Sequence, residues 1–551
     1  MYRWIRSAVS LVLLFSLMIG VLPVYAADAD VPLKLTVAAD THYQCAEDLG
    51  EPSDQYTAYM LEPELYGYAS TQGQMPYESE AIVSAMLDAF VSSDSPYLLI
   101  AGDLTCGKRA SHLRFAQLLR RAEERSGKQI FVIIGNHDCD AESSENGISM
   151  EEFREIYAEF GYTEAIACHA DSASYAVDLG KTHRLLAIDS CVYGEDEGKI
   201  SASVFRFIRE QTAKATQDGR TPIAMMHHSL LPHYELQPMI RFYRYYARWF
   251  ADHGLQTVLT GHIHANDIAS AVSDRGNTLY DIQTGALIAS PNTYRTLTFA
   301  DRSVQIESHF ITQIDTSLLP RYLTPQQKER IEDDFPAYAR DYFENGVCKW
   351  INRNLGSVNR IARWFKLKEG TKAYSAAEQI MQRIGASLGQ DIYGESGSIE
   401  ASLKSYGISL PASDYQKPYQ VAATMMYGFF HGDEETISSE ADTALLVQCI
   451  EGAVLTAVQS GIENDALADL IRAVNGKTAS LPMSEAVRQT AEKIALALLQ
   501  TLAGGFTDDQ SDPADLNVTL TFSASGRTAP LHFAQQLWSL FLEFFQRVFV
   551  R

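Results

Sequence analysis

The sequence predicts an α/β layered domain followed by a mostly helical one. Two observations carry this. Up to about residue 315, short apolar runs of strand type alternate with amphipathic helical patterns, the order that builds α/β layers. After Thr316, Pro320, Pro325 and Pro336 punctuate the chain, and helical periodicity takes over.

The predicted strands are Leu33–Ala39, Tyr97–Ala101, Ile130–Ile134, Arg184–Ile188, Ile223–Met226 and Thr257–Leu259. Leu279–Ile282, Thr296–Phe299 and Val304–Ile306 close the domain near residue 315. Between them lie helical patterns at Glu80–Val91, Ser111–Arg125, Ser149–Phe160, Ala202–Ala215 and Met239–His253. In the second of these, Leu113, Ala116 and Leu119 share a face. Further on, Leu446, Ile450, Val454 and Val458 recur every four residues. Val487, Ile494, Leu498 and Leu502 form a second stripe, stopped by Gly504-Gly505. The expected units are residues 27–315 and 316–505, a polar Asp-rich linker over 506–530 and an amphipathic terminal helix over 531–551. Asp508, Asp509, Asp512 and Asp515 match no EF-hand spacing, so a solvated loop is expected there.

At the N-terminus, Arg3 and Arg6 precede an apolar run from Ala8 to Val24, followed by Val24-Tyr25-Ala26. This reads as a cleaved secretory signal peptide over residues 1–26, with a retained signal anchor as the alternative. No Cys precedes Cys45, so a lipid-anchor motif is not expected. The mature protein is expected outside the cytoplasm. At the other end, Trp538, Phe541, Phe545 and Phe549 fall at helical spacing. They read as a terminal helix docked on its own domain or lying on a membrane or cell-envelope surface.

The chain has 551 residues, 46% hydrophobic and 21% charged, enough apolar material for sizeable cores. Its formal net charge of -24 excludes nucleic-acid binding through a basic surface. Any phosphate chemistry therefore needs a local positive centre. Seven cysteines are too few for a disulfide-built scaffold.

The chemistry lies in where His, Asp and Asn fall. Of 14 His, 12 lie at or before His309. Strand ends run into Asp40-Thr41-His42, Gly102-Asp103-Leu104-Thr105, Gly135-Asn136-His137-Asp138, His227-His228 and Gly261-His262-Ile263-His264. In α/β sheets, ligands gather outside the carboxyl ends of strands, so five such loops converge. Carboxylate, imidazole and amide donors together suit first-row transition metals. One aspartate has two oxygens with which to bridge two ions, and paired ions suit in-line displacement at phosphorus.

This order of motifs resembles the calcineurin-like metallophosphoesterase superfamily, over about residues 33–310. The resemblance implies a four-layered αββα sandwich holding two divalent metal ions, with Mn, Fe and Zn all compatible with the ligands. It implies Asp40, His42 and His264 on the first metal, and Asn136, His227 and His262 on the second, with Asp103 bridging. It implies that His137 faces the substrate as proton donor or charge stabiliser, while a metal-bridging hydroxide attacks the ester. His227 is taken as the ligand over His228. His228 and His233 either contact substrate or line the loop.

Cys106-Gly107-Lys108 stands where protein Ser/Thr phosphatases of the superfamily carry Asp-Arg-Gly. Asp138 stands where those enzymes and 5′-nucleotidases carry Glu. The Gly-Asp-Leu-Thr form resembles bacterial phosphodiesterases of the cyclic-nucleotide or glycerophosphodiester type. The expectation is a secreted dinuclear phosphoesterase acting on a small phosphate ester, a diester by this likeness. A phosphomonoesterase or nucleotidase is the alternative. An envelope binding protein using the metal domain as a platform is the alternative of another class. The Tyr-rich stretch from Tyr43 to Tyr77 is either a rim over the metals or a surface loop. Cys45, Cys106 and Cys139 follow metal motifs and are either neighbours, one pair bridged, or independent thiols.

Overall fold

The computed structural model describes residues 32–50, 73–139, 146–192, 195–234, 237–355, 358–404, 406–433, 440–459, 461–476, 483–503 and 515–522. The signal-peptide residues, the terminal helix, most of the Asp-rich stretch and residues 51–72 of the Tyr-rich stretch lie outside them.

Thirteen strands among the described residues form two sheets. They are β1 (Leu33–Ala38), β2 (Tyr97–Ile100), β3 (Gln129–Val132), β4 (Ala167–Cys168), β5 (Tyr175–Leu179), β6 (His183–Ile188), β7 (Thr221–Met226), β8 (Thr257–Thr260), β9 (Asp267–Val272), β10 (Thr278–Gln283), β11 (Thr293–Ala300), β12 (Ser303–Phe310) and β13 (Asn517–Thr521). The six-stranded sheet has the order β13-β12-β11-β1-β2-β3, and the seven-stranded sheet β4-β5-β6-β7-β8-β10-β9. β1, β2 and β3 run parallel, as do β6, β7, β8 and β10.

Strand periodicity builds the layers. Successive side chains point to opposite faces. Leu185, Ala187 and Met225 thus join Leu35, Val37 and Leu99 in the core between the sheets. Leu186, Ile188 and Met226 face outward, under helices Ala202–Gln217 and Tyr243–Asp252. Helices Ser79–Ser92 and Arg109–Ser126 bring Met86, Phe90, Phe115 and Leu119 to the central core. The result is the expected sandwich of two sheets between helices, followed by a helical region with its own core.

Four differences from the sequence expectation have physical causes. Leu113 is exposed, because the second helix buries the face carrying Phe115, Ala116, Leu118, Leu119 and Ala122. The helix begun by the Ser149 capping box stops at Ile156, before a kinked turn through Gly161 at φ 131°. β4 has two residues and β9 is half-exposed, and neither carries the apolar run that marks a buried strand; β5 is mostly buried, but Asp178 interrupts its short apolar run. Residues 515–522 are not a solvated loop. The Asp515 carboxylate is buried and accepts from Ile268 N at 2.7 Å, and β13 pairs antiparallel with β12.

Candidate metal centre

Five loops leave the carboxyl ends of β1, β2, β3, β7 and β8 and continue to exchange backbone hydrogen bonds beyond the strands. Asp40 N donates to Gly102 O at 3.1 Å and His42 N to Asp103 O at 2.9 Å. Gly261 N donates to His227 O at 3.1 Å. The first two bonds join loops of one sheet and the third joins loops of the other. Leu287 N, donating to Ala39 O at 3.1 Å, and His227 Nδ1, 3.0 Å from Ala101 O, bring the two sets to one seam.

The side chains meet there in two groups. His42 Nε2 and His264 Nε2 lie 3.1 Å apart, with Asp40 Oδ1 3.5 Å from His264 Nε2. His227 Nε2 lies 2.9 Å from Asn136 Oδ1, and His262 Nδ1 lies 3.1 Å from the same oxygen. Asp103 stands between the groups, its Oδ2 3.5 Å from His42 Nε2 and 3.2 Å from His227 Nε2. All seven are buried except His262, which is half-buried. His137 is exposed, with its ring 5.3 Å from that of His42.

The backbone is bent to achieve this. Asp40, His42, Asp103, His262 and His264 all adopt positive φ, from 34° to 78°. Non-glycine residues in that region cost about 1–3 kcal/mol each and gather at functional sites. Two glycines clear the space. A Cβ on Gly135 would fall 2.2 Å from Asp103 Oδ1, and one on Gly261 would fall 2.5 Å from Asp40 Oδ2.

The electrostatics are those of a cation site. Burial pushes the Asp103 carboxyl up, but the His227 and His42 imidazoles override it and hold the group well below the usual carboxylate range. Burial holds Asp40 well above that range. Burial depresses His262 and His264 to about 3, so both offer neutral nitrogens. Burial also opposes the charge on His227, but Asp103 beside it raises that imidazole to about 9. Facing imidazole nitrogens beside buried carboxylate oxygens at these separations fit divalent ions. Ligand atoms of Asp40, His42 and His264 lie within 4.8 Å of one another, as do those of Asp40, Asp103 and His227.

A supporting shell holds the loops, and part of it was not singled out in the sequence. Asp138 accepts from Gly135 N at 2.8 Å and Thr105 N at 2.9 Å, tying the second loop to the third. His112 lies 2.8 Å from Thr105 Oγ1 and 2.9 Å from Asp138 O. His227 Nδ1 lies 3.0 Å from Ala101 O, which turns Nε2 inward. His228 sits 2.9 Å from Ser190 Oγ, its ring 4.5 Å from that of His262. His233 is locked by Asp267 at 3.0 Å and Asp281 at 3.7 Å, away from the cluster. Thr105, Asp138, His228 and His233 were visible in the sequence, in or beside their motifs. His112 sits in the first turn of helix Arg109–Ser126 with no motif to mark it.

None of the seven cysteines is bridged; Cys106 Sγ lies 3.9 Å from His42 Nδ1. At the ends of the Tyr-rich stretch, Tyr43 donates to Glu80 Oε2 at 2.9 Å and Tyr77 to Gly50 O at 2.7 Å.

Residues 33–266 match the family model of the calcineurin-like phosphoesterases. Among solved structures, the chain is similar to a dimetal phosphatase from Danio rerio, at 10% identity and a TM-score of 0.37 over 50% of this chain and 96% of that one. It is similar to a purple acid phosphatase from yellow lupin (Lupinus luteus), at 13% identity and a TM-score of 0.32 over 51% of each chain. A 5′-nucleotidase precursor from Thermus thermophilus is similar at 13% identity and a TM-score of 0.30, over 56% of this chain and 58% of that one. No curated protein matches the chain.

Proposed function

We propose that the region matching the calcineurin-like phosphoesterase model, residues 33–266, hydrolyses small phosphate esters, diesters in preference to monoesters, with two divalent ions. The observation that supports this most is the Asp103 carboxylate between two groups of inward-facing donors. Asp40, His42 and His264 would hold one ion, and Asn136, His227 and His262 the other, with Asp103 shared. Bound there, the ions would supply Lewis acidity toward the phosphoryl oxygens and a nucleophile near neutral pH.

The chain's own groups do the rest. His262 N donates to Asp40 Oδ1 and Oδ2 at 3.1 and 3.0 Å, fixing that carboxylate. His137 N donates to Asp103 Oδ1 at 2.8 Å, so the loop bearing the exposed imidazole is pinned to the shared carboxylate. That imidazole protonates the leaving oxygen or stabilises its charge. Cys106 and Asp138, at positions where phosphatase and nucleotidase motifs carry other residues, support the diester preference. The N-terminal apolar run after Arg3 and Arg6 supports export from the cytoplasm.

The test is hydrolysis of bis-p-nitrophenyl phosphate against p-nitrophenyl phosphate. The full chain is loaded separately with Mn²⁺, Zn²⁺ or Fe²⁺, with Asp103→Ala as control. Diester turnover lost in the variant is the expected result. A monoester preference would replace the diesterase reading with a phosphomonoesterase or nucleotidase. Absence of turnover by folded, metal-loaded protein would favour a binding protein.

A further inference from the structure

The helical region does not stand apart from the metal centre. Its helix Pro418–His431 ends on the loop that follows His264. Asn266 N donates to Phe430 O at 3.2 Å, and Asn266 Nδ2 donates to His431 O at 3.3 Å. The same amide's Oδ1 accepts from Gly285 N at 3.0 Å. The carbonyl end of the helix is thus capped by a residue two places from a candidate metal ligand. Phe343, from helix Phe335–Leu355, packs so closely on Gly73 that a Cβ there would fall 2.8 Å from its ring. Phe310 stacks on His431 with ring centres 5.0 Å apart.

This docking shapes a partly open hollow of about 170 Å³ beside His262, with Gln237 and His262 as its polar edge. Tyr234 and Ile263 wall it on the sandwich side, and Phe343, Trp350, Met426 and Phe430 wall it on the helical side. No Lys or Arg lines it among the described residues. A second phosphate or other polyanionic group would therefore find no counter-charge there. By size alone the hollow admits a single aryl ring, for which roughly 150 Å³ suffices, and its faces away from Gln237 and His262 are aromatic or aliphatic. Phe343 and Phe430 already pack on each other, with ring centres 5.4 Å apart, so the wall is preformed.

Building on the phosphoesterase reading, we propose that the helical region completes the substrate pocket and selects phosphate esters bearing one compact, uncharged aryl group. The phosphate sits on the ions, and the aryl group lies in the hollow beside His262. The Asn266 cap fixes the spacing between the two seats. Specificity then comes from a region outside the family match at 33–266.

The experiment compares phenyl S-ethyl phosphorothiolate with methyl S-ethyl phosphorothiolate, which share an aliphatic leaving thiol, so that one of the two alone carries an aryl group. Direct binding of phenylphosphonate and methylphosphonate to the same metal-loaded full chain is measured calorimetrically. A phenyl preference of about tenfold or more in kcat/KM and in binding is expected, as a filled apolar pocket gives. Trp350 is half-buried and packs against the helical core, so folding of each variant is checked by its melting temperature. Trp350→Ala should abolish the preference through the phenyl compounds alone, and Trp350→Phe should keep most of it. Equal turnover of both esters, with Asp103→Ala inactive, would overturn this inference and leave the phosphoesterase reading standing. If neither ester is cleaved, the phosphonates decide. A phenyl preference lost in Trp350→Ala supports the aryl seat, and equal or absent binding overturns it, leaving the hollow to another segment of the chain.

Discussion

Asp103 is the residue on which both halves of the metal centre depend. Its Oδ2 lies within 3.5 Å of an imidazole nitrogen on each side. His137 reaches the site differently, from an exposed position with only its backbone N bonded to Asp103. His137→Ala is therefore expected to lower turnover by about 10²–10⁴-fold with the metal content unchanged. Metal loss in that variant, read by elemental analysis, would make His137 a ligand. Gly135 has no room for a Cβ beside Asp103 Oδ1. Gly135→Ala should displace that carboxylate and weaken metal binding, measured as a raised dissociation constant for Mn²⁺. These residues were legible in the sequence because each sits in a short contiguous motif at a strand end. His112 was not, since its partners Thr105, Asp138 and Tyr157 are brought to it only by folding.

At the scale of elements, the strands with continuous apolar runs were legible, and the polar or half-exposed ones were not. β13 reads Asn-Val-Thr-Leu-Thr and buries only Leu520, so nothing local distinguishes it from a loop. What makes it a strand is its edge position on β12 and the Asp515 bond to Ile268 N. Asp515→Ala should cost about 1–3 kcal/mol by leaving that buried N–H without its acceptor, read by denaturant unfolding. The loop after β7 carries a second ionic anchor. Burial disfavours charge on His233, yet Asp267 and Asp281 override it and raise the imidazole to about 10. The folded state therefore holds this proton more tightly than the unfolded chain does. The contribution is complete below about pH 6.5 and is lost as pH rises toward 10. Melting temperature should fall over that window in the parent protein, and the fall should be smaller in His233→Gln. Equal pH dependence in both would contradict the anchor.

Across the whole molecule, the change of sequence character at Thr316 is not a boundary of packing. Phe335, Tyr338 and Tyr342 from the first long helix after it belong to the same continuous core as the sheets and their covering helices, as does Leu520, and Tyr338 donates to Glu78 Oε1 at 2.5 Å. A chain cut after residue 315 would expose that core. It should show lower cooperativity of unfolding and a tendency to aggregate, read by calorimetry and light scattering. The composition shift was visible in the sequence, but the contacts that cross it are long-range. The strongly acidic chain and its phosphate chemistry are reconciled at one place, where the Asp40, Asp103 and imidazole donors would concentrate positive charge on bound ions. The most direct test is the metal content of the full chain and of Asp103→Ala, after loading with Mn²⁺ or Zn²⁺ and removal of free ion. The parent protein should retain about two ions per chain and the variant should lose both, since each group shares that carboxylate. A folded Asp103→Ala chain that still retains two ions would contradict the dinuclear centre.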